Sequence, residues 1–190
     1  MRKLVCASVL LAATAACAFD HVGFVNVGGA VETVLFNEAV TNRILGSIQV
    51  ATRAYAIDRI DVADVVAAAA KGYPKGECKI SVYFVDDPAF PPQVVSPGFF
   101  AIINVRGLKT DADLKKYAKR IEKMVLKGLA FSCGFGANQD IGRCVMAAGS
   151  FETLKGIDST SASYSPFCYF PLNDYLQKRG LLCIPADDEE

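Results

Sequence analysis

The chain has 190 residues, 52% of them hydrophobic and 21% charged, which suits one domain with a buried core and not a disordered tail. Lys+Arg and Asp+Glu both number 20, so no global basic excess points to nucleic acid as a partner. A single histidine, His21, stands beside seven cysteines. One imidazole excludes any site built from several, and it makes a Ser-His-Asp or Cys-His machine depend on that one residue.

Met1-Arg2-Lys3 is a short basic start, and Leu4 to Ala16 is apolar and small. Ala16-Cys17-Ala18 fits the small-x-small rule of a signal-peptidase site, so residues 1–18 read as a secretory signal cleaved before Phe19. The apolar run is short for a membrane span, and no transmembrane segment is expected. The competing reading is a lipoprotein signal with Cys17 acylated, although Thr14-Ala15-Ala16 lacks a branched apolar residue at the third position back. Cleavage after Ala18 would leave 18 basic residues against 20 acidic ones. It would also leave five cysteines: Cys78, Cys133, Cys144, Cys168 and Cys183. In an exported protein these can form disulfides, and an odd number leaves one thiol free or paired with another chain.

Val22 to Val27 is a β-rich run ended by Gly28-Gly29. From Val31 to Leu45, residues Val31, Val34, Leu35, Ala39, Ile44 and Leu45 approximate a helical stripe, with Gly46 as its stop. Ile48 to Ile57 reads as a strand with Ile48 and Val50 on one face. Asp61 to Ala70 reads as a short Ala/Val helix closed by Lys71-Gly72-Tyr73-Pro74. Cys78 to Val85 alternates, with Ile80, Val82 and Phe84 facing one way. Asp86 to Gly98 holds four prolines and is expected to be a loop or a ragged edge strand, since proline cannot donate to a ladder. Phe99 to Val105 is apolar on both faces, as in a buried strand.

The clearest helix follows. Thr110 and Asp113 resemble a capping box, and Leu114, Tyr117, Ala118, Ile121, Met124, Val125 and Leu129 form its apolar stripe. Gly134 is a natural C-terminal stop. Beyond it the chain is rich in Gly, Ser and Ala until a short final helix, Leu172 to Arg179, and an acidic tail, Asp187 to Glu190. The order of elements implies an α/β or α+β fold with one mixed sheet. A regular upper subdomain (19–134) and an irregular lower one (135–190) would meet near Gly134.

The stretch Lys127-Gly128-Leu129-Ala130-Phe131-Ser132-Cys133-Gly134-Phe135-Gly136-Ala137, with Cys144-Val145-Met146 and Phe167-Cys168 after it, resembles the archaemetzincins, a metzincin-type family of zinc metallopeptidases. The order of preceding elements is similar too. In that family a helix carries HExxHxxGxxH, followed by a cysteine, a C-x-M segment with the Met-turn, and a late CxxC. Gly134 stands at the motif's glycine, and Cys144-Val145-Met146 matches C-x-M shifted by one residue. The resemblance implies a metzincin-like domain with a mixed sheet, a backing helix and a long former active-site helix.

The departures fall on the chemistry. The family sets two imidazoles on one helix face, one turn apart, to hold zinc, and a glutamate between them acts as base on the metal-bound water. The three histidine positions are Lys127, Phe131 and Ala137 here, and the base position is Gly128. No metal, cofactor or catalytic residue is therefore expected, and Met146 of the Met-turn would serve packing alone. Of the family's zinc-binding cysteines, the first is Asn138 and the last is Pro171, leaving Cys144 and Cys168. The resemblance thus suggests a Cys144–Cys168 disulfide in place of a structural metal, worth about 3 kcal/mol on a chain-entropy model.

The remaining features read modestly. Cys133, at a helix C-terminus, is expected to be a packing cysteine, or a disulfide partner of Cys78 or Cys183. His21 is expected at the surface near a frayed chain start. Lys115, Lys116, Lys119, Arg120, Lys123 and Lys127 suggest a solvated helix face, with an anion-binding patch as the alternative. Gly28-Gly29 lacks both phosphate-loop patterns and reads as a plain turn. Asp86, Asp87, Glu152 and Asp158 show no pairing spacing. The resulting expectation is an exported pseudopeptidase holding a peptide or protein in the former cleft, along an edge strand near Val94 and Val95. The alternatives are an exported hydrolase with new chemistry based on Lys127, Cys133 or carboxylates, and an envelope-associated structural module without peptidase ancestry.

Overall fold

The computed structural model describes residues 21–40, 48, 50–58, 62–72, 78–110, 113–139, 144–149 and 152–181. The expected signal segment (1–18), Leu45 and Gly46, Cys183 and the acidic tail lie outside the described residues. Val22–Val27 (β1), Thr52–Ile57 (β2), Ile80–Val85 (β3), Gln93–Ser96 (β4) and Phe100–Asn104 (β5) form one mixed sheet in the order β2-β1-β3-β5-β4. The pairs β1–β2, β1–β3 and β3–β5 are parallel, and β4 lies antiparallel on β5 at one edge. Strand alternation divides the apolar residues between two cores. Phe24, Ile80, Val82, Phe84, Ala101 and Ile103 point into the larger, and Val25, Tyr83, Phe100 and Ile102 into the smaller.

The helices Thr33–Glu38 (α1) and Leu114–Ser132 (α3) cover the face of the larger core, and Val62–Ala70 (α2) covers the other through Val65 and Ala69. The β1–α1 turn takes Gly28 and Gly29 at φ of 59° and 68°. Asn26 closes it from the side: Nδ2 donates to the Val31 carbonyl at 2.7 Å and Oδ1 accepts the Val31 N–H at 3.1 Å. The protein's own groups fill this loop, in keeping with a plain turn.

Several expected boundaries move for identifiable reasons. The second strand starts at Thr52 instead of Ile48, because its ladder begins where β1 begins, with Val22 opposite Thr52. Ile48 and Val50 are still buried in the larger core. Val34 belongs to the expected stripe of α1 yet is 78% exposed, and Phe36 takes the buried place. Asp113 is itself the N-cap of α3, accepting the Lys116 N–H, while the Thr110 hydroxyl accepts from Arg120. His21 is buried instead of exposed, hydrogen-bonded through Nε2 to the Tyr55 hydroxyl at 2.9 Å.

In the lower segment, Leu154–Ser159 (α4) was not evident from the sequence, and Pro166–Lys178 (α5) starts six residues before the expected Leu172. Neither is announced by apolar periodicity. The Thr153 hydroxyl accepts the Gly156 N–H, and Pro166 occupies the first turn of α5, where its missing donor does no harm.

The largest correction concerns the basic face of α3. From Lys123 to Cys133 the helix is buried all round, between the sheet and the lower segment. Arg120, Lys123 and Lys127 are therefore interior residues, not a solvated face. Arg120 grips Asp158 with Nε on Oδ1 and Nη2 on Oδ2, both at 2.7 Å, and its Nη1 donates to the Leu108 carbonyl and the Thr110 hydroxyl. Lys123 Nζ donates to the Ile157 carbonyl at 2.6 Å, and the Tyr164 hydroxyl donates to the Leu126 carbonyl at 2.5 Å. These bonds, with Met146, Ile157, Leu172 and Leu176 in the larger core, tie the lower segment to the sheet layer.

Hydrogen bonds from Arg120 hold the Asp158 carboxyl below its ordinary value, outweighing the opposing effect of burial. Its folded form binds a proton more weakly than the unfolded chain does. Its stabilisation is therefore complete above a pH of about 4 and disappears as pH falls through the lower folded value. Asp158→Ala should cost about 1–2 kcal/mol at neutral pH in urea unfolding, by taking the carboxylate from a buried guanidinium that keeps its bonds to Leu108 and Thr110. The gap between variant and wild type should narrow as the medium is acidified below that pH.

Candidate functional site

The long helix ends in a closed cap. Gly134, at φ 90°, donates its N–H to the Phe131 carbonyl, and the Phe135 N–H reaches the Ala130 carbonyl. This pair of bonds is the Schellman pattern, and it needs a left-handed residue at Gly134. It turns the chain back so that Ala137 faces the last turns of α3. Asn138 then pairs with the segment around Met146: its N–H donates to the Met146 carbonyl at 2.8 Å, and its carbonyl accepts from Ala148 at 2.7 Å.

A cavity of about 440 Å³ lies between these parts. Met124, Lys127 and Phe131 line it from one face of α3, and Ala137, Ala148, Gly149 and Glu152 line it from the lower segment. Ile103 of β5 with Pro92 and Gln93, at the start of the edge strand β4, completes the wall. Lys127, Phe131 and Ala137, far apart in kind and separated in sequence, are thus brought to one concave site. Gly128 is not part of it. One position round the helix it faces the sheet, and a Cβ there would lie 2.6 Å from Val82 Cγ1 and 3.3 Å from Ile103 Cγ1.

Lys127 is the cationic group of the cavity, with Glu152 as its acidic counterpart. Burial pushes its amine down to about 8, against the opposing pull of Glu152 and Cys144. Its Nζ stands 5.4 Å from the centre of the Phe131 ring, a cation–π contact made possible by their spacing of four residues.

Cys144 and Cys168 are also brought together. Both are free thiols in this structure, in hydrogen-bond contact with each other. Cys144 Sγ accepts the N–H groups of Met146 at 3.4 Å and Ser165 at 3.3 Å, and Asn138 Nδ2 donates to Cys168 Sγ at 2.9 Å. Burial raises the Cys144 thiol, but hydrogen bonds from Ser165, Met146 and Cys168 together outweigh it and the net shift is downward. Cys168 moves upward, through burial and its bond to Cys144. Met146 is fully buried, inside a turn closed by the Ala147 N–H on the Cys144 carbonyl. Cys133 is buried with its thiol raised to about 12, as suits a packing residue.

No family model matches the chain, and no curated protein matches it by sequence. Solved structures do. Archaemetzincin from Methanopyrus kandleri superposes with a TM-score of 0.63 at 18% identity, covering 83% of this chain and 97% of its own. The fold is archaemetzincin-like. Archaemetzincin from Archaeoglobus fulgidus, solved in complex with malonate, gives a TM-score of 0.56 at 15% identity, covering 77% of this chain and 97% of its own. The α/β architecture implied by the resemblance, with its mixed sheet and long helix, is therefore the observed one.

An archaemetzincin-like fold implies a zinc site on the long helix, and the residues present do not fit one. Phe131 and Ala137 offer no donor atom, and the Lys127 amine is mostly protonated at neutral pH. Among the described residues no three His, Cys, Asp or Glu side chains converge as a ligand set. Gln93 and Glu152 are polar cavity residues that sequence reasoning did not place there. They arrive from an edge strand and an irregular segment, and no linear spacing connects them to the helix.

The packing of Gly128 gives a direct test. Gly128→Ala should destabilise the protein by about 1–3 kcal/mol, because its methyl must displace Val82 in a filled core. Urea unfolding measures this, and Ala137→Ser, at the exposed wall of the cavity, should differ little from wild type in the same assay.

Proposed function

We propose that the protein is an exported, catalytically inactive archaemetzincin-like scaffold that holds an extended peptide in the former active-site cleft. The observation that carries this reading is the meeting of Lys127, Phe131 and Ala137 in one cavity beside the start of β4. The positions that serve zinc chemistry in the family remain at a concave site, but their side chains offer a ligand an apolar wall and one amine instead of a metal.

The edge strand suits strand addition. Asn104 donates its N–H to the Pro92 carbonyl, so alternation turns residues 92, 94 and 96 toward β5 and the backbone groups of Gln93 and Val95 toward the sheet edge. Main-chain bonds from a peptide along this edge would supply affinity, and the cavity would receive one of its side chains. Under this reading residues 1–18 direct export, with cleavage before Phe19. The neighbouring thiols of Cys144 and Cys168 would then close to a disulfide in an oxidising compartment.

Three measurements test these points. Elemental analysis should find zinc far below one equivalent, and a broad peptide library should remain uncleaved; stoichiometric metal with peptidase activity would overturn the reading. Peptides selected from a displayed random library should bind by fluorescence anisotropy, and Gln93→Pro, which removes an outward N–H, should weaken them about tenfold without lowering Tm. Non-reducing peptide mapping of the secreted protein should recover Cys144 linked to Cys168 and an N-terminus at Phe19. Alkylation of both thiols would reject the disulfide, and an acylated Cys17 would reject the cleavage site.

A further inference from the structure

We propose that Lys127 is a covalent capture site in this cleft, taking neutral aldehydes as imines. The inference deepens the reading of the cleft as a ligand site and rests on it. The geometry carries it. Lys127 lies on the wall of a cavity of about 440 Å³ whose other helix residues, Met124 and Phe131, are apolar, as are Ile103 and Ala137 opposite. The residue is 6% exposed, so the cavity is the route by which a reactant meets its amine. An ammonium in such surroundings gives up its proton more readily than one in water, and the neutral amine is the nucleophile. The lowered value of about 8 agrees with the placement.

The reaction needs no added oxidant or reductant. The Lys127 nitrogen attacks the carbonyl carbon, a proton passes from nitrogen to the carbonyl oxygen, and the carbinolamine loses water to leave a C=N bond. Glu152 lines the same cavity and is the carboxylate that acts on Lys127. Its negative charge favours a neutral carbonyl compound over an anionic keto acid. The other titratable group acting on the amine is the Cys144 thiol, which lies buried behind it.

The full chain is treated at pH 7 with butanal and sodium cyanoborohydride, which reduces any imine to a stable secondary amine, and the modified sites are mapped by peptide mass spectrometry. Lys127 should be alkylated on the order of tenfold faster than the exposed Lys115 and Lys119 of the same helix. Its rate should level off above pH 8. Lys127→Arg should remove this fast phase, and pyruvate should label the site more slowly than butanal. Equal rates at Lys127, Lys115 and Lys119 in protein shown to be folded by circular dichroism would overturn the proposal. Peptide binding is measured on the same preparation. Binding without Lys127 labelling rejects the imine and leaves the peptide cleft standing; labelling without peptide binding rejects strand addition and supports the amine site.

Discussion

The buried grip of Arg120 on Asp158 is the constraint on which the rest of the structure depends. The guanidinium is almost fully enclosed and reaches three parts of the chain at once: the Leu108 carbonyl, the Thr110 hydroxyl and the Asp158 carboxylate. It thereby joins the approach to the long helix, the helix itself and the end of α4. Lys123 and Tyr164 repeat the arrangement further along, bonding Ile157 and Leu126 across the same seam. Apolar contact alone would let the lower segment slide on the helix. Directional bonds to charged groups set its position, and with it the width of the cleft that opens further along the same face of α3.

That cleft keeps a shape while its chemistry differs from what the fold resembles. A zinc site needs three donors converging on one point, and here the corresponding wall is a lysine, a phenylalanine and an alanine. The amine of Lys127 brings a single charge to the place, tempered by Glu152 and by the face of Phe131. On the proposed reading, such a surface would select its ligand by apolar contact and one amine.

Much of this was legible in the sequence where the signal was periodic. The alternation of Ile80, Val82 and Phe84 and the stripe of Tyr117, Ile121, Met124, Val125 and Leu129 correspond to faces buried in the larger core. The glycine stop of α3 and the Pro-rich edge are also where local chemistry puts them. The errors arise where tertiary contact overrides local pattern. Lys115, Lys116 and Lys119 are exposed as the charge pattern suggests, but Arg120, Lys123 and Lys127 read as solvated because nothing in the sequence announces the lower segment that covers them. His21 reads as frayed because Tyr55, its partner, is 34 positions away. The site followed the same rule: the helix residues could be named beforehand, whereas Gln93 and Glu152 could be placed only by the fold.

The close fit of Gly128 against Val82 and Ile103 limits what this position can carry. Any Cβ there meets the sheet before it meets a ligand. A side chain at the position that the resemblance assigns to the base therefore needs space cleared first in β3 or β5, at a cost in stability. Placing a carboxylate in this stretch of the helix is a problem of repacking the core, whatever stands at positions 127, 131 and 137.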